Sequence, residues 1–536
     1  MTRVPDDIVN LPAFVRRRDG SQVPFDADRI CQSLYAAAES LGTASPFLIR
    51  ELSDVVLHFL AQQDFGSVPT TLQIADEVEK IVREVGQPAL ARRYAELQKQ
   101  TARAEQPPEP KVTVACGASP ERFVKDCLAA YAVHAIFSRD VAGAIREGLL
   151  HAGGLDMPAS LSTLVLDTTR LAELPWWPAL DDWRACGGER WIVESPEWLC
   201  TGPHPALTPH LCERLLSLPI LAQRAVELHL NIAEPPAWSP APPARPLFAQ
   251  AEEVETSPER SNFLDGLLER WKGLRTPKTP ALAWHLHERS FREDTQRRQL
   301  HDLIRLALQG KAIRFVFDRP RAPVVLAEGL ERRSPGVLLE VGLDLPALAE
   351  RLETPRDGAA FLKKVPSLAR MAVSAAAQKR QYLRDLPEAS PLKHGFLIER
   401  ATAAVVPLGL EEAVHRITGT SLARSPQALE FALRVLHALK STLDEAGRGI
   451  NLDLRLDGES LSAADVAVLP QLQLDHAGKL HARAGAGTAT LLLDADAAAD
   501  IPALIDRLDH VWASTSIVRL QLQRSGATVR QGELAI

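Results

Sequence analysis

Aromatic residues are scarce, 5% of 536 positions, and methionine occurs only three times. Cysteine occurs six times, at 31, 116, 127, 186, 200 and 212, with no Cys-x-x-Cys pair and none after 212. A zinc ribbon needs close ligand pairs, so these spacings argue against a structural zinc site. In a reducing compartment the cysteines read as free, mostly buried thiols. No run of about 18 uncharged apolar residues occurs, which excludes a membrane-spanning helix. Neither sign of charge dominates: 61 Lys and Arg against 68 Asp and Glu leave a net charge of −7. That balance speaks against a surface built to coat nucleic acid. The first twenty residues carry early acids and no apolar core, so no secretory signal is expected and the cytoplasm is the expected compartment. Dinucleotide-fingerprint, Walker A and His-Glu-x-x-His motifs are all missing.

What is present is 46% apolar and 24% charged residues, the profile of a globular protein, with length for two to four domains. Residues 1–103 read as one compact domain, 104–111 as a Pro-rich linker, and 112–536 as a large α/β domain interrupted by a Pro- and acid-rich stretch at 234–259. In the first domain, Phe14-Val15-Arg16-Arg17, the turn Arg18-Asp19-Gly20 and Val23-Pro24-Phe25 predict a hairpin. Four helices follow. Asp26 caps the first, Ser45-Pro46 opens the second, and Thr70 with Gln73 forms a capping box on the third. The fourth runs through Leu90, Tyr94 and Leu97. Apolar stripes at helical spacing, such as Ile74, Val78, Ile81 and Val82, give the four a shared core. Beyond residue 160, strands are expected in 161–167, 190–195, 312–318, 322–328, 336–345, 402–410, 450–457 and 517–523. Alternating with helical runs, they indicate an α/β architecture with covered strands.

The basic turn Arg16-Arg17-Arg18-Asp19-Gly20, with Arg29 on the helix it feeds, suits phosphate oxygens. Guanidinium forks and helix-terminal amides are both made for that chemistry, although such a turn standing alone reads most simply as a solvated surface. Taken in order, VRRRDGSQVPFDADRI, TTLQIADEVEKIV and LARRYAEL resemble an ATP-cone, the four-helix nucleotide-binding domain at the N-terminus of many ribonucleotide reductases and in a repressor of their genes. The resemblance covers residues 13 to about 100. It implies ATP or dATP, carried with Mg2+, between a hairpin lid and the helices. The basic pair of the family then falls on Arg17 and Arg18, its later basic residue on Arg29, and its threonine on Thr71 in preference to Thr70. Ala75 stands where some cones have a histidine, and Arg17 where they have lysine.

Three further segments, 144–167, 336–383 and 393–420, are similar in order to parts of class III, anaerobic ribonucleotide reductases. This implies the ten-stranded α/β barrel of glycyl radical enzymes. Their chemistry needs a thiyl-forming cysteine at the barrel centre, just before the segment matched by GVLLEVGLDL (336–345), and a glycyl radical near the C-terminus. Here no cysteine follows Cys212, no sulfur lies near Leu164–Leu166, and PLGLEE has lost the family's asparagine. The C-terminal zinc cysteines are missing, and the radical loop is reduced to Arg524-Ser525-Gly526-Ala527. No catalytic residue and no metal ligand is therefore assigned, and radical reduction of ribonucleotides is not expected.

The resulting expectation is an adenine-nucleotide sensor, a degenerate reductase that reports occupancy through its conformation or through assembly with itself or a reductase partner. Two other readings stay open: an enzyme or subunit with non-radical chemistry in the barrel, and a nucleotide-responsive transcriptional regulator. Elsewhere, His285 and His287 are expected to point apart on a helix, Cys186-Gly187-Gly188 to form a turn, and Asp344 to serve structure.

Overall fold

The computed structural model describes residues 11–12, 14–16, 22–63, 68–100, 120–172, 175–201, 208–236, 258–274, 278–320, 322–393, 398–457 and 470–525. The chain divides into two compact units, residues 1–150 with 367–378, and residues 151–366 with 379–536.

The first unit opens with the expected hairpin, β1 (Phe14–Arg16) antiparallel to β2 (Gln22–Pro24). Its tip, and with it Arg17 and Arg18, lies outside the described residues. Four helices follow: α1 (Ala27–Ser40), α2 (Pro46–Ala61), α3 (Thr71–Glu84) and α4 (Pro88–Gln100). Asp26 caps α1 by accepting from the Asp28 amide, and Thr70 and Gln73 complete the capping box of α3. Ser45 holds the N-cap position of α2 without a side-chain bond, and Pro46 begins the helix. Their buried faces, among them Ile30, Leu34, Leu52, Val56, Leu60, Ile74, Val78, Val82, Leu90 and Tyr94, form one cluster with Val15 of the hairpin. Two more helices, α5 (Pro120–Ile136) and α6 (Arg139–Arg146), complete the run. Gly143 lets α6 approach α1, since a Cβ there would stand 2.3 Å from the Tyr35 hydroxyl.

A short strand, β3 (Leu150–Ala152), comes next. The second unit is a closed barrel of ten strands. In the first half β4 (Leu161–Leu166), β5 (Gly187–Glu194), β6 (Ala225–Leu230), β7 (Ala281–Leu286) and β8 (Ile313–Phe317) run parallel. A two-stranded hairpin, β9 (Val325–Leu326) and β10 (Leu330–Glu331), precedes the second half. That half consists of β11 (Gly336–Asp344), β12 (Thr402–Leu408), β13 (Leu452–Asp457), β14 (Gly485–Leu493) and β15 (Arg519–Arg524), again parallel. The halves meet antiparallel at β15–β8 and β4–β11.

Side chains alternate along each strand, so a covered barrel needs one apolar face toward its helices. Trp191 and Val193, Val226 and Leu228, Leu282 and Trp284, Phe315 and Phe317, Leu491 and Leu493, and Leu520 and Leu522 supply that outer core. The residues between them face inward. Every strand expected from the sequence is found, although 322–328 contributes only the two-residue β9. Three barrel strands were not expected: β6, β7 and β14. Cys186 ends a helix and Gly187 begins β5, so the expected turn there is absent.

Candidate functional site

Within the first unit, the hairpin joins the start of α3. The Arg16 amide donates to the Pro69 carbonyl at 2.9 Å, and Arg16 bridges to Thr70 in parallel. The strand that leads into Arg17 is thereby fixed beside the N-terminus of α3, where free amides carry partial positive charge. Thr70 spends its side chain on the cap, taking the Gln73 amide at 3.2 Å and donating to Gln73 Oε1 at 3.0 Å. Thr71, the first residue of α3, is exposed. Arg29 is on the first turn of α1, its side chain 64% exposed, with Nε 3.5 Å from Asp26. The same turn carries Asp28. It binds Arg50 at 2.8 Å and accepts from Ser374 at 2.8 Å, while Arg50 also lies 3.7 Å from Asp140. Arg370 bonds Asp54, so two residues of the helix Gly358–Arg384 hold carboxylates of α1 and α2.

The second unit buries a charged network inside its barrel. Glu227 on β6 lies 2.8 Å from Arg519, 3.3 Å from Arg314 and 3.0 Å from His229. Burial alone would raise its pKa; Arg519 and the other cations hold it well below the carboxylate range. The hairpin β9–β10 reaches this network through its tip, Ala327-Glu328-Gly329. Glu328 lies 2.5 Å from Arg190 and 3.6 Å from Arg519, which keep it near pKa 2 despite burial. The Gly487 amide donates to the Glu328 carbonyl at 2.7 Å, and the Ala327 amide to His229 Nε2 at 3.1 Å. This hairpin lies just before β11, where the resemblance puts the radical cysteine; its tip holds a carboxylate and no sulfur.

His229 Nδ1 lies 2.9 Å from His285 Nε2, and His285 Nδ1 lies 2.9 Å from Asp318. His285 therefore stands on strand β7 and not on a helix: the alternating run Ala-Trp-His-Leu turns it inward, and His287 sits at the cap of the following helix. Burial lowers His229 to about 4, so at neutral pH its Nε2 is an acceptor for the Ala327 amide. The same nitrogen would need a proton to serve Glu227. Asp344 caps the helix Leu345–Glu350 through the Ala347 amide at 2.7 Å, a structural role as expected. Among the described residues no cluster of three His, Cys, Asp or Glu could hold a metal ion.

Comparison with known proteins agrees with both units. Residues 13–103 match the family model of the ATP cone domain. No curated protein sequence matches the chain. Among solved structures, the anaerobic ribonucleotide reductase from Thermotoga maritima in complex with dATP and CTP superposes with a TM-score of 0.53 at 12% identity, covering 75% of this chain and 83% of that one. The same enzyme with citrate in the active site gives 0.53 at 11%, covering 94% and 100%. With dATP bound in the specificity site it gives 0.51 at 11%, covering 94% and 92%. The chain thus carries an ATP-cone domain and has the fold of the anaerobic reductases.

Proposed function

We propose that this chain senses adenine nucleotides: ATP or dATP, with Mg2+ on its phosphates, binds at Arg17, Arg18, Arg29 and Thr71. The single observation that supports this most is the tie from Arg16 to Pro69 and Thr70, which sets the basic hairpin beside the N-terminus of α3. Three guanidiniums, helix amides and an exposed hydroxyl would then meet the phosphates, each charge-assisted bond contributing about 1.5–3 kcal/mol. Arg29 shares a turn with Asp28, so closure on a nucleotide would pull on the Asp28–Arg50–Ser374 contacts. The output we assign is a change of conformation or assembly, with a second copy or a reductase partner. Loss of the thiol that would exchange hydrogen at the barrel centre supports a regulator without radical chemistry. A second reading, non-radical chemistry in the barrel, has the polar interior in its favour and the mutual pairing of those charges against it. Titration of the full chain with ATP and dATP, followed by calorimetry and light scattering, tests the proposal. Micromolar binding with a change in mass or hydrodynamic size supports it; indifference to both nucleotides, or reduction of ribonucleotides under anoxia, overturns it.

A further inference from the structure

Arginines and carboxylates from different strands pair across the inner face of the barrel. Arg190, Arg314, Arg455 and Arg519 meet Glu227, Glu328 and Asp453 through the contacts Arg190–Glu328, Arg314–Glu227, Arg519–Glu227 and Arg455–Asp453.

The donors left over lie together. Arg455 on β13 is in register with Ala486 on β14, and Thr488, two residues further along β14, is in register with Arg519 on β15. Period two therefore puts Arg455, Thr488 and Arg519 on one face of three adjacent strands. It is the inner face, because Arg519 reaches Glu227 on β6 at 2.8 Å. Arg455 uses Nη2 on Asp453 at 3.3 Å, and Arg519 uses Nη2 on Glu227. Arg455 Nε, Arg519 Nε and Nη1, and Thr488 Oγ1 are buried without a hydrogen-bond partner. The three residues are 1%, 0% and 7% exposed. Glu328 Oε1 stands 3.6 Å from Arg519 Nη1, too far for a good hydrogen bond. Buried polar groups are costly to leave unsatisfied, so three guanidinium donors and one hydroxyl on one face of three adjacent strands call for an acceptor. The remaining guanidinium N–H groups and the hydroxyl suit the several oxygens of a phosphate group.

We propose that Arg455, Thr488 and Arg519 form an oxyanion site inside the barrel that takes a phosphate group, either inorganic phosphate or the phosphoryl end of an organic ester. The site shares no residue with the cone. The test uses the full-length Arg17→Ala/Arg18→Ala protein, so that phosphate held by the hairpin does not contribute. Calorimetry at constant ionic strength, with inorganic phosphate as titrant, is expected to give saturable binding. Thr488→Val, nearly isosteric, should weaken it about ten-fold, the equivalent of one hydrogen bond to a charged group. Arg455→Met should abolish it. Because the arginine variant can fail to fold, Thr488→Val carries the decision, with tryptophan fluorescence confirming its fold. Ribose 5-phosphate as a second titrant distinguishes the sources: tighter binding than phosphate, equally sensitive to Thr488→Val, assigns an ester, and weaker binding assigns the free ion. Absence of saturable binding by both titrants, or binding indifferent to both substitutions, overturns the site and leaves these donors to water alone.

Discussion

The nucleotide site proposed in the cone and the centre of the barrel hold positive charge in opposite ways. In the cone Arg29, proposed to meet the nucleotide, is exposed, with the Asp26 carboxylate at 3.5 Å. In the barrel Arg519 is wholly buried and Glu227 is its partner from 292 residues away. An exposed guanidinium gains little from a surface ion pair and remains ready for a ligand. A buried one has already lost its water, and removing its partner leaves a charge that nothing else compensates. The exposure of Arg29 thus fits the proposal that the cone receives an anion from outside. The barrel centre, apart from the donors around Thr488, has its anions supplied by the chain itself.

The contrast sets the order of expected effects. Arg17→Ala combined with Arg18→Ala removes two charge-assisted contacts, each worth about 10- to 150-fold, so micromolar ATP affinity should disappear in calorimetry. Glu227→Gln should leave ATP affinity unchanged yet destabilise the barrel by about 3–5 kcal/mol, since Arg519 and Arg314 lose their common anion. Tryptophan fluorescence during urea unfolding isolates that effect, because all nine tryptophans lie between 176 and 512, in the barrel unit. Acid should separate the units next. Burial lowers His229, His287 and His481 to about 4, whereas unfolded histidine titrates near pH 6.5. Between those values the unfolded chain binds protons that the folded barrel refuses, so stability falls as pH drops through the window. The loss is on the order of 3 kcal/mol for each histidine by pH 4, read as a falling fluorescence midpoint. Smallest is Thr70→Ala, which removes the capping box and should cost about 1 kcal/mol, seen as faster hydrogen exchange in α3.

The same contrast explains what the sequence revealed. The cone was legible because its signals are local: Asp26, Ser45-Pro46 and Thr70 with Gln73 mark helix starts, and each apolar stripe faces one shared core. Strands such as β11 and β12 stood out as apolar runs. The three missed strands have polar or small inner positions, a property they share with β13 and β15, whose alternating pattern was still readable. Ala225–Leu230 is broken by Glu227 and His229, Ala281–Leu286 by His285, and Gly485–Leu493 opens on glycine and alanine. Apolar-run reading fails there because the barrel turns its apolar face outward and fills its centre with charge. Those residues compose the central network, and their partners are set by closure of the barrel. Nothing local in the sequence pairs Glu227 with Arg519, or His229 with the Ala327 amide.

Hydrogen exchange of the full chain with and without ATP puts the contrast to its most direct test. Protection is expected in the hairpin, in the first turn of α1 around Arg29, and at the N-terminus of α3. Protection confined to the barrel strands, with the hairpin and α3 unchanged, would contradict it.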